Sequence, residues 1–454
     1  MKELKFNEKP GRFNWLVVIL ILILFSGCKD VIYENDLRNV PVYMSYDELR
    51  NSVITSSPAK LVNPGKIYFK DGYIFINEEM KGIHVIDNRN PESPAKTAFI
   101  EIPGNMDMAI KNNTLYADSY VDLVAIDISD IENQEEVKRV NNVFPYTIPE
   151  PIDNGLLIAD IDEDKGVVVG WEIDYAKIQV ERKNYPIYNS GWFGGYNKDG
   201  AYGEALFANV TSSSSSQSIG GYTSSGVQGA SFGIGGSMAR FGLNGDYLYT
   251  VDSEEFHIFN VSDDKKPVLE KEKEAGADIE TMFIHDDHMF LGTMTGMLVY
   301  SLSEPENPVQ INSYSHIRSC DPVVVQDHIA YITLRGGNEC GRTVSKLDIL
   351  SLSHNYKTAN LMHSYNMKEP YGLGIDDEVL FICDGKLGLL VYDASDLATI
   401  PQKKIAQFPD IDAFDVIPFH DYLFMIGDDG FYQYDYSDLQ NIRQVSFIPV
   451  ENND

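Results

Sequence analysis

Along most of this chain apolar and polar residues alternate with a period of two, in short runs broken by turn residues, and no helical period is sustained. In the first clear run Tyr73, Phe75, Ile83 and Val85 supply β-branched and aromatic bulk on alternate positions, the pattern of strands half buried against a neighbour. The runs form a recurring phrase: a turn pair, an alternating strand, a polar turn, and a second apolar strand closing on Asp or a near equivalent. Eight copies occur, closing at Asp87, Asp127, Asp174, Asn260, Ser301, Asp348, Asp393 and Asp435. Their closing positions lie 40, 47, 86, 41, 47, 45 and 42 residues apart, so six of the seven intervals fit one interval class. After each comes a turn-forming tail, as in Asp87 to Pro91 or Ser303 to Pro308, and then an outer strand such as Ala95 to Ile102 or Val445 to Val450.

An interval of about 40–45 residues with four strands is that of a β-propeller blade. The expectation is an all-β chain with a single β-propeller over residues 64–450, of eight repeat units or of seven blades plus an irregular unit. The irregular unit would be the one around Leu156 and Val168, whose lead-in from Pro145 to Asp153 holds three prolines. Ala59 to Gly65 resembles an outer strand, so ring closure is expected to mix strands from the two ends of the chain, which removes exposed edges. The 86-residue interval contains an insertion. From Lys183 to Ser237 the composition shifts to Gly, Ser and aromatic residues, which predicts a flexible loop because Gly-rich chain gains little from packing against its entropy cost. Its Trp192, Phe193, Tyr196 and Tyr202 are candidate ligand-binding residues, aromatics offering area that stacks on sugars. The alternative is that they pack on the propeller rim.

The N-terminus adds a location. Lys2, Lys5, Lys9 and Arg12 precede an apolar run from Trp15 to Phe25, too short for a membrane span, which needs about 20 residues, and suited to a signal-peptide core. The run ends in Leu24-Phe25-Ser26-Gly27-Cys28, which resembles the bacterial lipobox and implies a signal peptide over residues 1–27 and acylation of Cys28. Residues 28–63 are expected to be a tether and lead-in, and Lys29-Asp30 resembles a surface-export signal of Bacteroidetes lipoproteins. Removing residues 1–27 takes the net charge from −32 to −34, a surface that repels nucleic acid and anionic headgroups. With 43% apolar residues the chain is too hydrophobic to be disordered.

The runs GIHVID, DLVAID and LLVYDASD resemble the LVIVD-repeat family over roughly Asn63 to Val450. Together with the lipobox, the resemblance is to Bacteroidetes-type lipoproteins of that family. It implies a propeller and says little about a ligand.

Candidate chemistry is sparse. Asp160, Asp162 and Asp164 alternate as at the start of a calcium loop, but Lys165 stands where such a loop has Gly and Trp171 where it has Glu; calcium is the one cofactor this pattern suggests, against a solvated turn. Gly229 to Gly233 matches G-x-S-x-G in a low-complexity run, without the strand and helix that a nucleophile elbow needs. The nine histidines show no metal-binding spacing, and His84 and His257 hold matching places in their repeats, as structural residues do. Outside the cytoplasm Cys320 and Cys340 are expected to form a disulfide, with Cys383 a buried small hydrophobe; the alternative is three free thiols. No catalytic residue stands out: Asp410, Asp412 and Asp415 read as turn residues. The expected function is therefore a lipid-anchored, monomeric cell-envelope protein at the outer membrane or cell surface, offering a scaffold for protein or glycan binding or adhesion. The alternative is an extracytoplasmic polysaccharide-acting enzyme with carboxylates near the propeller axis.

Overall fold

The computed structural model describes residues 34–178, 187–188, 196–197, 233–276, 278–316, 322–336, 344–385 and 387–451. Within them lies a seven-bladed β-propeller, each blade built on four consecutive antiparallel strands, to which the first blade adds Ile54–Ser56 at its outer edge and Ile234–Gly235 at its inner edge. The blades span residues 64–101, 108–140, 241–274, 279–315, 323–366, 373–408 and 413–449, numbered 1 to 7 here. Their first strands lie innermost and meet neighbouring blades around the axis.

Local chemistry explains why each unit folds this way. In all seven blades the first two strands are joined by a two-residue turn, at residues 71–72, 112–113, 245–246, 286–287, 327–328, 377–378 and 420–421. The first residue of each turn is left-handed, from φ 46° at Asp286 to 57° at Gly245, which is why Asp, Asn, Gly or His stands there. These turns define the back face; the front face carries the turns between second and third strands and the links between blades. The Asp that closes the repeat is a turn cap. Asp87, Asp127, Asn260, Ser301, Asp393 and Asp435 each accept a hydrogen bond from the backbone N–H two residues on. In blade 5 that register is held by Ser351 rather than Asp348.

The core is the set of interfaces between blades, each lined by fully buried rings such as Tyr116, Phe256, Phe290, Phe381 and Phe431. Closure does not mix strands from the two ends: residues 59–63 form no strand, and blades 7 and 1 join through packing and hydrogen bonds. Phe69 stacks on Phe424 at 4.9 Å, and the amides of Asn88 and Gln433, 345 residues apart, exchange two hydrogen bonds of 2.8 and 2.7 Å. The Glu451 N–H adds one bond to the Leu61 carbonyl.

The eighth unit is not a blade. Its second run belongs to a strand, Val167–Ile178, that pairs with Glu34–Met44 instead of with its own lead-in. Pro145, Pro149 and Pro151 lack N–H donors in that lead-in, which disfavours a strand. Buried Asn39 instead donates to the carbonyls of Asp153 and Leu156 and fastens the segment to the ribbon. The expected tether is therefore structured from Glu34 onward. The ribbon leads through a capped turn, Tyr46–Leu49, to Arg50, whose guanidinium grips Asp122 on the front of blade 2 at 3.0 Å.

Candidate functional site

The propeller axis is filled by the chain itself. Gly233 donates to the Ile110 carbonyl near the back face, and Ile234–Gly235 pairs with Phe69 and Tyr68 on the axial edge of blade 1. Ser237 then donates through its N–H and hydroxyl to Asp415 of blade 7, both at 3.2 Å, while its hydroxyl accepts from Leu373 N–H of blade 6 at 2.9 Å. The Ala239 carbonyl accepts from Met282 of blade 4, and the Arg240 N–H donates to Asp107 at the entry to blade 2. Five blades thus hold residues 233–240 before the chain becomes the innermost strand of blade 3. The insertion, expected to run to Ser237, gives way to ordered chain by Gly233, and Ser237 to Arg240 are buried.

Around this segment lies a buried polar network. Lys66 contacts Asp107 at 2.8 Å. Asp118 accepts from the N–H groups of Met106 and Asp107 and from the Asn105 amide at 2.8 to 2.9 Å. Burial pushes the Asp118 carboxyl up to about 6 against those donors, and pushes Lys66 down against the pull of Asp107. Burial likewise pushes Asp415 up to about 7, opposed by hydrogen bonds from Val416 N–H and Ser237 and by the charge of Lys66. Asn77 Oδ1 and Asp415 Oδ2 are buried without a hydrogen-bond partner and line one cavity with Lys66, Met106, Met238 and Arg240. That cavity holds about 20 Å³, room for about one water molecule. It is too small for a sugar.

A larger cavity, about 230 Å³, opens on the front face between blades 6 and 7, lined by Glu369, Tyr371, Gly385, Asp412, Phe414 and Asp428. Arg335 packs against Tyr371: its guanidinium lies 4.2 Å from the Tyr371 ring centroid and donates to the Tyr371 hydroxyl at 2.9 Å. Asp384 braces the loop beneath by accepting from the N–H groups of Lys368 and Glu369. Carboxylates and an aromatic ring around a polar hollow accept hydrogen bonds from hydroxyl or amine groups and repel phosphate and carboxylate.

Among the described residues one group has donor atoms close enough for a metal ion: Asp252, Glu255 and His257, all within 4.8 Å of one another on blade 3. Burial raises Glu255, aided by Asp252, Glu272 and Glu274, and burial lowers His257. The expected calcium residues Asp160, Asp162 and Asp164 are exposed and not gathered; Asp162 caps the turn Glu163–Lys165 and lies 3.4 Å from Lys165 Nζ. Cys28, Trp192, Phe193, Tyr202, Cys320 and Cys340 lie outside the described residues. Tyr196 belongs to a two-residue strand, Tyr196–Asn197, paired with Ile187–Tyr188. Cys383 is a buried free thiol, as expected. His84 is buried and bonded to Glu78 at 3.0 Å, and His257 is buried in the corresponding strand of blade 3. Asp415 is no turn residue: it sits 1% exposed inside a strand. Its signal was a lone carboxylate in the apolar run Ala-Phe-Asp-Val-Ile.

No protein-family model and no curated protein matches the chain. Solved structures similar to it include a periplasmic gluconolactonase from Pseudomonas aeruginosa, 9% identical with TM-score 0.49, covering 85% of this chain and 98% of that one. BamB from Moraxella catarrhalis is 8% identical with TM-score 0.44, covering 89% and 95%. A protein from Lactobacillus plantarum is 10% identical with TM-score 0.47, covering 85% and 98%.

Proposed function

We propose that this chain is a lipid-anchored β-propeller of the cell envelope, held through Cys28, whose front face binds a protein or glycan partner. The observation that carries the binding reading is the disposition of space: the axis is packed with the chain's own residues, while the roomy, polar, ring-bearing hollow is at the front of blades 6 and 7. A glycan fits its chemistry, because Glu369, Asp412 and Asp428 accept from hydroxyls and Tyr371 supplies flat apolar area.

Binding of envelope glycans and proteins to the full-length protein is tested by capture with and without the pair Glu369→Ala and Asp428→Ala. Loss of two acceptors should weaken the captured interaction at least about tenfold. Unchanged capture would contradict the location. A second arm deletes residues 183–232 and stops short of the buried 233–240; loss of binding there alone would place the site on the insertion. The enzyme alternative draws on one observation, the buried Asp415 carboxyl poised near neutrality beside Lys66. A cavity of about 20 Å³ gives it no room for a polysaccharide. Hydrolysis of an envelope polysaccharide that Asp415→Asn abolishes would favour that alternative.

A further inference from the structure

The ribbon that leaves the ring carries an apolar face beyond the point where the propeller supports it. Trp171, Ile173 and Tyr175 alternate with Glu172 and Asp174 along Val167–Ile178, so the three apolar residues share one face and the acids the other. The near end of that face is packed. Trp171 is 6% exposed, donates to the Pro149 carbonyl at 2.9 Å, and joins Ile148 and Val168 in a small core. Farther out, Ile173 is 45% and Tyr175 71% exposed, and Leu37, opposite Tyr175 in the register, is 37% exposed. A two-stranded ribbon is marginal in water on its own, so its outer half needs a surface to lie against.

The start of the ribbon indicates which surface. Glu34 follows Cys28 by six residues, a reach of at most about 20 Å. Leu37 lies three residues farther along the strand, another 10 Å or so. A lipid on Cys28 therefore keeps the ribbon's exposed face within a ribbon's length of the bilayer, whereas the first blade begins only at Pro64. We infer that the outer half of the ribbon lies in the interface of the membrane that anchors Cys28, with Ile173 and Tyr175 at the headgroup boundary. This rests on the reading of Cys28 as the lipid anchor. A tyrosine suits that depth, its ring apolar and its hydroxyl wet. The acids on the opposite face and the net charge of −34 left once residues 1–27 are removed select a zwitterionic rather than an anionic lipid surface. Because the ribbon packs on Met80, Tyr120 and Val121, front-face turns of blades 1 and 2, the propeller's front rim is the part held nearest the membrane.

The test uses the mature protein from Cys28 onward carrying its native lipid, reconstituted into phosphatidylcholine vesicles with brominated acyl chains. The variant Tyr175→Trp should lose a clear share of its added emission to the quencher, because a side chain at the headgroup boundary lies against the acyl chains. Val309→Trp, at a 51% exposed position on the outermost strand of blade 4, should lose none. Ile173→Trp provides an independent reporter and should behave as Tyr175→Trp does. If both ribbon reporters stay bright in a protein whose Cys28 is lipid-labelled, the membrane contact is wrong and the anchor stands. If Cys28 carries no lipid, the anchor reading and this one fail together. Equal quenching at Val309→Trp would also overturn the inference, since it would show contact without orientation.

Discussion

Gly236→Ala is expected to cost about 3 kcal/mol of folding stability, as an overpacking change in a closed interior does. A Cβ at Gly236 would lie 1.8 Å from Asp415 Oδ2 and 2.4 Å from its Cγ. The Asp415 side chain cannot swing away cheaply, because Val416 N–H and both donors of Ser237 hold its other oxygen. Moving it breaks those bonds and leaves a buried carboxyl less solvated than before. Gly170 is the control: nothing lies within 4 Å of its Cβ position, so Gly170→Ala should stay within about 0.5 kcal/mol of the parent. Equilibrium urea unfolding of the two variants decides the matter. Equal stability would mean that the axial segment is not packed against blade 7.

Gln433→Leu should destabilise by about 2 kcal/mol, the cost of leaving a buried amide unpaired. Gln433 and Asn88 are 0% and 3% exposed and bridge the last blade to the first. The Ser446 hydroxyl also accepts from Gln433 at 2.8 Å and would lose that donor. The pair Asn88→Leu and Gln433→Leu together should cost less than the two single changes summed, because removing both amides leaves neither orphaned. Additive effects would show that the two residues do not meet, and so that the ring does not close there.

These expectations differ in how far the sequence alone could support them. The blade hairpins were readable because their determinants are local: a left-handed pair such as Asp71-Gly72 and a capping carboxylate such as Asp87 act on their own backbone. Blade number stayed open between eight and seven, the alternative that holds, since the run around Val168 has the same alternation as a blade strand yet pairs with Glu34–Met44, more than a hundred residues earlier. Nothing in a local pattern chooses between those partners. For the same reason the stretch from Glu34 read as tether: its residues become a strand only against that distant edge. The inner end of the insertion was set too late for a different cause. Gly235-Gly236-Ser237 has the composition of a mobile loop, but two glycines are also what lets backbone pass within contact of Tyr68 and Asp415. The front cavity draws Glu369, Tyr371, Asp412 and Asp428 from separate links and turns, so no single motif announces it, and Asp412 shared the appearance of its turn-forming neighbours.

The central structural claim is that residues 233–240 seal the axis of a seven-bladed ring, and native-state hydrogen exchange reads it directly. The N–H groups of Ser237 and Arg240, which donate to Asp415 and Asp107, should exchange as slowly as those of the innermost strands, Phe69 and Val416 among them. Exchange at the rate of an unstructured chain, while those strands remain protected, would contradict it.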